Sequence, residues 1–505
     1  METETHRKKT LMMNNFMIIA GILVVIISFI LMPTSFLPTT VHAQDGLDST
    51  HIESVTSTYD ALLKAPMMIS QAAIVGGVFN HVFLHRVLRS RIQPNYKNNV
   101  PVDNSSSLQP LRRLFILLVV CSLTILVTAS SLIYLQTISM SSELGLDVST
   151  TFTILTTTSV GPVWILRIIT SSIIVVSSIL YYILEKKKIK RTTEEEHHTY
   201  SKQRKRNLSL SIVLLYVIIL SGAISIFSNS AVSHSAALSF LPSLAISINW
   251  LHFMAVSIWV GGVFYISVIL LVTIRSTINL TEPVNQQYET NKTRNTYFLA
   301  VLLPYFSLIA TISLGIIGVT GLYMAWIHLH TVGAIFDTMY GNVLIIKLSA
   351  ILPMVILGGY HQFRLHDSFV LVAKIGKGGK KSNDNKRSSA ATTSGGSNSL
   401  QADPFAKFSK TIRIESFIGI GILFITSFLT ITSPPSMSMP SMSMAENSNL
   451  NGLATSTTEN EMPSFDAFAI LVIILSAAVL MGSIISFVRS KREIKKTLDS
   501  LHANH

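Results

Sequence analysis

The sequence predicts an all-α, polytopic transmembrane helical bundle, with about nine spans after an N-terminal signal or anchor segment. Three observations predict it. Of 505 residues, 49% are hydrophobic and 13% charged, where a soluble domain carries about 25% charge. The apolar residues fall in uninterrupted blocks, and about 20 apolar residues carry a helix across the bilayer core. Lys and Arg alternate from loop to loop, as membrane loops do. A helix also satisfies its own backbone hydrogen bonds in lipid, which an open sheet edge cannot.

The N-terminus reads "HRKKTLMMNNFMIIAGILVVIISFILM" and then "VHAQ". A basic start, an apolar run and a small residue at Ala43 mark residues 1–43 as an export signal cleaved before Gln44, or as an uncleaved anchor. Residues 44–65 read as an external segment. Nine spans follow near 66–88, 111–136, 162–185, 208–228, 246–273, 299–327, 343–363, 414–433 and 467–489. Loops around Arg86–Arg113, Lys186–Arg206, Arg275–Arg294 and Arg364–Arg413 hold Lys or Arg, as does the tail 490–505. The alternate loops near 137–161, 229–245, 328–342 and 434–466 hold none. A miscounted helix would break this alternation. The positive-inside rule places the basic loops and the C-terminus in the cytoplasm of a plasma-membrane protein. Residues 44–65 and 436–465 then lie outside. The loop 374–410 is rich in Gly, Ser and Lys and cannot bury a core. His197 and His198 sit in the charged connector 185–206 and read as solvated.

The net charge of +13 does not indicate nucleic acid, because the cations are confined to short loops between apolar blocks. The lone Cys121 lies in an apolar run. It excludes an internal disulfide and any CxxC metal site, and reads as packing.

The stretch "SPPSMSMPSMSMAEN" (Ser433–Asn447) sets Met437, Met439, Met442 and Met444 among serines and prolines. Thioether sulfur is a soft neutral ligand that selects Cu(I) over harder ions. M-x-M spacing on an extended strand brings two sulfurs to the same side. The alternative is a low-complexity tether to the last helix. Three histidine groups fall on the same predicted outer face: His234 in "AVSHSAAL", His252 in "WLHFM", and His328 with His330 in "WIHLH". Imidazole suits Cu, Zn and Fe, although each also fits a hydrogen-bonded interfacial role. His328 and His330 diverge on a helix and align on an extended end. Metal binding by histidine is expected to fall near pH 6.5, and binding by methionine is not.

His81 and His85 lie four apart on one helix face in "FNHVFLHRV", as a paired site or as a snorkelling His85 above a backbone-bonded His81. His361 in "GGYHQFR" is a weaker candidate of the same kind. Glu415 starts the eighth span beside Arg413, as a proton or ion relay or as an interfacial ion pair. Arg167 lies inside a span and is expected to snorkel or to pair with Asp147 or Glu143. Gly261-Gly262 and Gly358-Gly359 read as close helix contacts. There is no phosphate loop, HExxH or GxSxG motif, so no enzyme is expected.

Two segments carry a family resemblance. "PYFSLIATISLGIIGVTGLYMAWIHL" and "YGNVLIIKLSAILPMVILGGYHQFRL" resemble the copper resistance D (CopD) membrane domain. The matching positions are Tyr305-Phe306-Ser307, Thr320-Gly321, Tyr340-Gly341 with Leu344 and Lys347, and His361 to Arg364. "LHFMAVSIWVGG", "TTTSVGPVWILR" and "IESFIGIGILFITSFLTITSPPS" resemble its flanking elements, so the likeness runs over roughly 66–435. The resemblance implies eight helices, here followed by an additional helix at 466–489, and a role in copper transport or resistance. It implies His252 as the clearest carried-over ligand. Some relatives carry a fused external copper-binding domain, and this chain carries the methionine stretch instead.

The expected function is to take copper from outside and pass it across the membrane. Met437, Met439, Met442 and Met444 would capture it and His234, His252, His328 and His330 would relay it, with the lipid bilayer, copper ions and an external copper-binding protein as partners. Two alternatives stay open. One is a b-haem redox protein with axial ligands from His81, His85, His252 or His361. The other is an accessory that presents copper to a membrane enzyme.

Overall fold

The computed structural model describes residues 49–91, 104–158, 161–194, 201–238, 242–276, 284–365, 368–369, 404–437 and 467–502. The N-terminal segment 1–43, most of the loop 374–410, His197, His198, Met439, Met442 and Met444 lie outside the described residues, as do the side chains of His85 and Met437. Among the described residues there is no strand. The helices are α1 (Ser49–Arg91), α2 (Asn104–Leu144), α3 (Val148–Thr157), α4 (Gly161–Glu194), α5 (Ser201–Ser230), α6 (Pro242–Tyr265), α7 (Leu271–Ser276), α8 (Val284–Leu329), α9 (Ala334–Asp337), α10 (Met339–Tyr360), α11 (Pro404–Leu429) and α12 (Ala467–His502). A π-helical turn, Ile266–Leu270, joins α6 to α7, and another, His361–Leu365, extends α10.

Among the described residues nine helices are long and apolar enough to cross a membrane: Thr58–Leu84, Pro110–Leu144, Gly161–Ile189, Leu210–Ser230, Pro242–Ile274, Leu299–Leu329, Met339–Tyr360, Phe405–Leu429 and Ile470–Arg492. Two boundaries differ from the sequence reading. The segment read as external, 44–65, is helical from Ser49. Pro66 does not stop α1, because Ala61, Leu63 and Ala65 are at most 3% exposed and their packing outweighs one missing hydrogen bond. Residues 404–410, read as loop, begin α11. Pro404 suits a first helical position, and Phe405 and Phe408 bury themselves in the core.

Burial separates the centre of the bundle from its edge. In the most apolar windows of α1 and of α6–α7, 72% and 78% is buried, against 6% for α10 and for α12. The centre is therefore the α1–α6 contact, while α10 and α12 turn most of their surface outward. α1 also packs on α2, α5 and α11; α12 lies along α8, and α10 along α11. The α1–α6 contact is close because of two glycines. A Cβ on Gly76 would lie 2.0 Å from the Ser257 carbonyl oxygen, and one on Gly261 2.1 Å from that of Ala72. Asn80, fully buried, donates to the Gly76 carbonyl at 2.8 Å and across the contact to the Ile258 carbonyl at 3.0 Å. The expected close-contact role of Gly261 holds. Cys121 is buried in the core as expected.

Arg167 departs from expectation. It is 3% exposed and pairs with neither Asp147 nor Glu143. Its Nε donates to Ser228 Oγ at 2.9 Å and its Nη2 to Asn229 Oδ1 at 3.0 Å. The guanidinium also stacks 4.3 Å from the Trp164 ring centre. Packing of α4 against α5 supplies these neutral acceptors, so the cation has no need of the solvent. Asp147 instead caps α3, accepting from the main-chain N–H groups of Ser149 and Thr150. The Ser149 hydroxyl, followed by these main-chain bonds, holds its carboxyl below the usual range.

Candidate functional site

The segments 145–158, 231–238 and 330–338 mark one end of the bundle, and Arg112, Lys186, Lys407 and Arg489 lie toward the other. At the first end, a 3₁₀ turn, His234–Ala237, follows α5, and α8 ends at Leu329. These two ends bring His234 and His328 together, with ring centroids 6.4 Å apart in an edge-on arrangement. With metal–nitrogen bonds of about 2.0 Å on either side, two opposed imidazoles that share an ion have centroids roughly 6 Å apart. Nε2 of His234 and Nδ1 of His328 are buried and have no hydrogen-bond partner. Tyr340 closes the far side of His328, at 6.1 Å between rings.

The root of the methionine stretch lies at the same place. The Thr432 carbonyl faces the His234 ring. The 3₁₀ turn Pro435–Met437 packs against α8, the helix that carries His328. Burial and the Lys64 charge push the His234 imidazole below its usual pKa, and the Thr432 carbonyl opposes them. The ring therefore stays neutral, with a lone pair to offer, at lower pH than a free histidine. For this residue, loss of binding is expected below pH 6.5 rather than near it.

The remaining candidates are distributed. His328 is 4% exposed in the last turn of α8, while His330 is exposed, with φ 57°, just beyond it. They diverge because α8 stays helical through Leu329 and then turns in a left-handed residue. His252 lies further along α6. Its Nδ1 is 2.9 Å from Thr320 Oγ1. The Thr320 hydroxyl donates to the Ile316 carbonyl at 2.6 Å. Its oxygen therefore accepts from Nδ1–H, which leaves the lone pair of His252 on Nε2. Gly321 admits the ring, since a Cβ there would lie 3.3 Å from Cε1. Lys347 stands within electrostatic reach of this imidazole. Among the described residues no group of three or more His, Cys, Asp or Glu side chains forms a metal cluster.

His81 has Nδ1 at 3.0 Å from the Tyr265 hydroxyl and Nε2 at 3.3 Å from that of Tyr181. Both nitrogens are engaged, and α1, α4 and α6 meet around them. His361 is also engaged on both sides, by Thr411 at 2.6 Å and Glu415 at 3.2 Å. It is held as a polar partner, not presented as a ligand.

One relationship was missed in the sequence. Tyr340, Lys347, Met354 and His361 repeat every seven residues along α10. This spacing keeps them on one face. Tyr340, Met354 and His361 are at most 7% exposed on a helix that otherwise faces outward. Met354 lies near Gly419 of α11, whose Cβ would meet the Met354 methyl at 3.5 Å. The row thus runs from the His328 ring, past the Lys347–His252 level, to His361 and Glu415.

The architecture is that of a multi-pass helical membrane protein with a histidine pair at one end and the row Tyr340, Lys347, Met354 and His361 leading from it. Residues 300–429 match the family CopD, copper resistance protein D. No curated protein and no solved structure matches the chain. The matched segment contains Tyr305, Thr320, Tyr340, Lys347, His361 and Glu415, so the resemblance read from Tyr305–Arg364 is sustained. His252 and Arg167 lie upstream of it. The match and, among the described residues, the nine helices long and apolar enough to cross a membrane support a multi-pass membrane protein whose residues 300–429 are similar to a copper-resistance family.

Proposed function

We propose that this chain takes copper from outside the cell and passes it across the plasma membrane. The single observation that carries this reading is the His234–His328 pair, with one buried, unpartnered nitrogen on each ring. Copper is the cargo. Met437, Met439, Met442 and Met444 capture it as Cu(I), and the stretch delivers it to the pair against which its root is packed. His330, exposed beside the pair, serves as an entry ligand. His252 follows, its Nε2 lone pair fixed by the bond from Nδ1–H to Thr320. Soft sulfur and neutral imidazole take up Cu(I) without a proton having to leave the ligand first. His81 and His85 stand apart from this route. No covalent chemistry is involved, so the chain is not an enzyme.

The basic end faces the cytoplasm in this reading, since its Lys and Arg residues follow the positive-inside pattern. Flux of Cu(I) into proteoliposomes tests it. Wild-type protein should load the vesicles, and His234→Asn with His328→Asn should not. Copper that binds but never crosses would favour an accessory that presents copper to a partner.

A further inference from the structure

His361 and Glu415 form a second constellation, which the copper route does not use. They are 4% and 1% exposed, at the contact between α10 and α11 on the basic-end side of Met354. His361 Nε2 lies 2.6 Å from Thr411 Oγ1. The Thr411 hydroxyl donates to the Lys407 and Phe408 carbonyls at 3.1 and 3.2 Å. Its oxygen therefore accepts, and Nε2 carries a hydrogen. Nδ1 then faces Glu415 Oε2 at 3.2 Å, and that oxygen has no conventional hydrogen bond. A bare imidazole nitrogen against a bare carboxylate would set two lone pairs together and leave a buried negative charge uncompensated.

A single proton relieves both, as imidazolium with carboxylate or as imidazole with carboxylic acid. We propose that His361 and Glu415 hold one exchangeable proton between Nδ1 and Oε2, displaced when a cation occupies the row above them. The displacement is electrostatic. Met354 and His361 are seven residues apart, about 10 Å along the axis, a distance at which charges inside a poorly screened interior still interact. A monovalent cation entering and one proton leaving keep the buried charge unchanged. Only an N–H or O–H bond is broken, and nothing is oxidised or reduced.

Lys407 and Lys410 share α11 with Glu415, and Arg489 adjoins Ser490 on α12, but among the described residues none of these cations forms an ion pair with Glu415. α10 adds Tyr360, its ring 6.1 Å from that of His361, and α11 adds Phe408 at 5.1 Å. α6 approaches through the Val263 carbonyl, which accepts from Ser416. α12 contributes Ser490, which accepts from Gln362. Toward this end α1 carries His81, engaged by two tyrosines, and α8 carries Tyr305. Arg413 and Arg364 flank the pair in sequence and form no ion pair with it. Among the described residues, His361 is the one ion-pair partner of Glu415.

The part of this inference that concerns cargo rests on the copper reading; the proton itself does not. Metal-free full-length protein is stepped through pH while infrared difference spectra are recorded. Wild type should show a carboxylic acid band that changes with pH and is missing in Glu415→Gln. His361→Gln, which keeps a donor for Thr411, should move it. A spectrum without a pH-dependent Glu415 band overturns the proposal, whatever copper does. Ag(I), a redox-inert monovalent probe, is then added in weak buffer with a pH indicator. Wild type should release about one proton per chain more than Glu415→Gln. Equal release from both overturns the displacement. If wild type binds no silver, the copper reading fails and the infrared result alone decides the proton site. Should Glu415→Gln not fold, Thr411→Val must shift the band, because it removes the acceptor that sets the imidazole tautomer.

Discussion

His234 and His328 meet at the end of the bundle with their rings 6.4 Å apart, and each keeps a buried nitrogen that no protein group uses. Leaving a buried polar atom unpaired costs about 1–3 kcal/mol. Two such atoms on neighbouring rings call for compensation, and a shared soft cation would supply it.

Changing His328 to Asn should therefore weaken Cu(I) binding by more than about tenfold, since even an outer-shell partner of a metal site is worth 10–100-fold. His234→Asn should do the same, and the double variant should add little to either. Competition against a Cu(I) chelator measures this. Additive losses would mean two separate sites.

The Lys64 charge helps keep the His234 imidazole neutral, with burial the larger cause. The sign for binding follows. A proton competes with metal only below the folded pKa, which here lies under 6.5, so binding should hold at mildly acidic pH and fall further down. Lys64→Met removes the repulsion and should move that fall to higher pH. For stability, the unfolded chain takes up the proton near 6.5 before the folded one does, so metal-free protein should lose stability as pH drops through that value. Binding and unfolding curves recorded from pH 4 to 7 check both directions.

The nine spans were legible in the sequence because the bilayer imposes length and hydropathy on each segment by itself. The early start of α1 was not, because the burial of Ala61, Leu63 and Ala65 depends on neighbours that only the fold supplies. The partners of Arg167 were missed for a related reason. Charge complementarity pointed to Asp147 and Glu143, while the packing of α5 offered Ser228 and Asn229. The individual histidines were legible as chemistry, and their pairing was not, since His234 and His328 meet through two helix ends far apart in the chain. The row of Tyr340, Lys347, Met354 and His361 had a readable signal in its spacing of seven. It was hidden because apolar residues fill most of the remaining surface of α10. The His361–Glu415 contact joins helices separated by a long polar loop, and no local pattern announces it.

The α1–α6 crossing can be tested by two alanines of opposite sign. A Cβ on Gly76 would meet backbone atoms at 2.0 and 2.7 Å, which cannot swing away. Gly76→Ala should cost at least about 1–3 kcal/mol of overpacking, outweighing the ~1 kcal/mol that Ala brings to a helix. Gly421 of α11 has nothing within 4 Å of such a Cβ, so Gly421→Ala should be neutral or mildly stabilising. Thermal unfolding in detergent separates them.

Cysteine labelling fixes which end faces out. Ser235 is 1% exposed and a poor reporter, whereas Val232 is 42% exposed in the same connection. In a Cys121→Ala background, Val232→Cys should react with an impermeant reagent in intact cells, and Ser388→Cys should react only after lysis. The reverse pattern would put the histidine pair inside.

The methionines themselves allow the sharpest test. Replacing Met437, Met439, Met442 and Met444 together with Leu keeps the apolar bulk and removes the lone pairs. A tether to α12 would not register the change, whereas a soft-metal collector would, because Leu offers no ligand atom. The variant should bind Cu(I) more weakly, bind Zn(II) as weakly as the parent, and need copper in the medium to be scarce before the defect shows. High copper should mask it, since His234 and His328 can load directly. The segment as a free peptide should bind Cu(I) almost independently of pH between about 4 and 7, because no ligand proton competes. Full-length protein carrying the four leucines should keep the acid-sensitive histidine component alone. Equal binding and equal flux at limiting copper in parent and variant would reduce the stretch to a tether whose root merely happens to rest on α8.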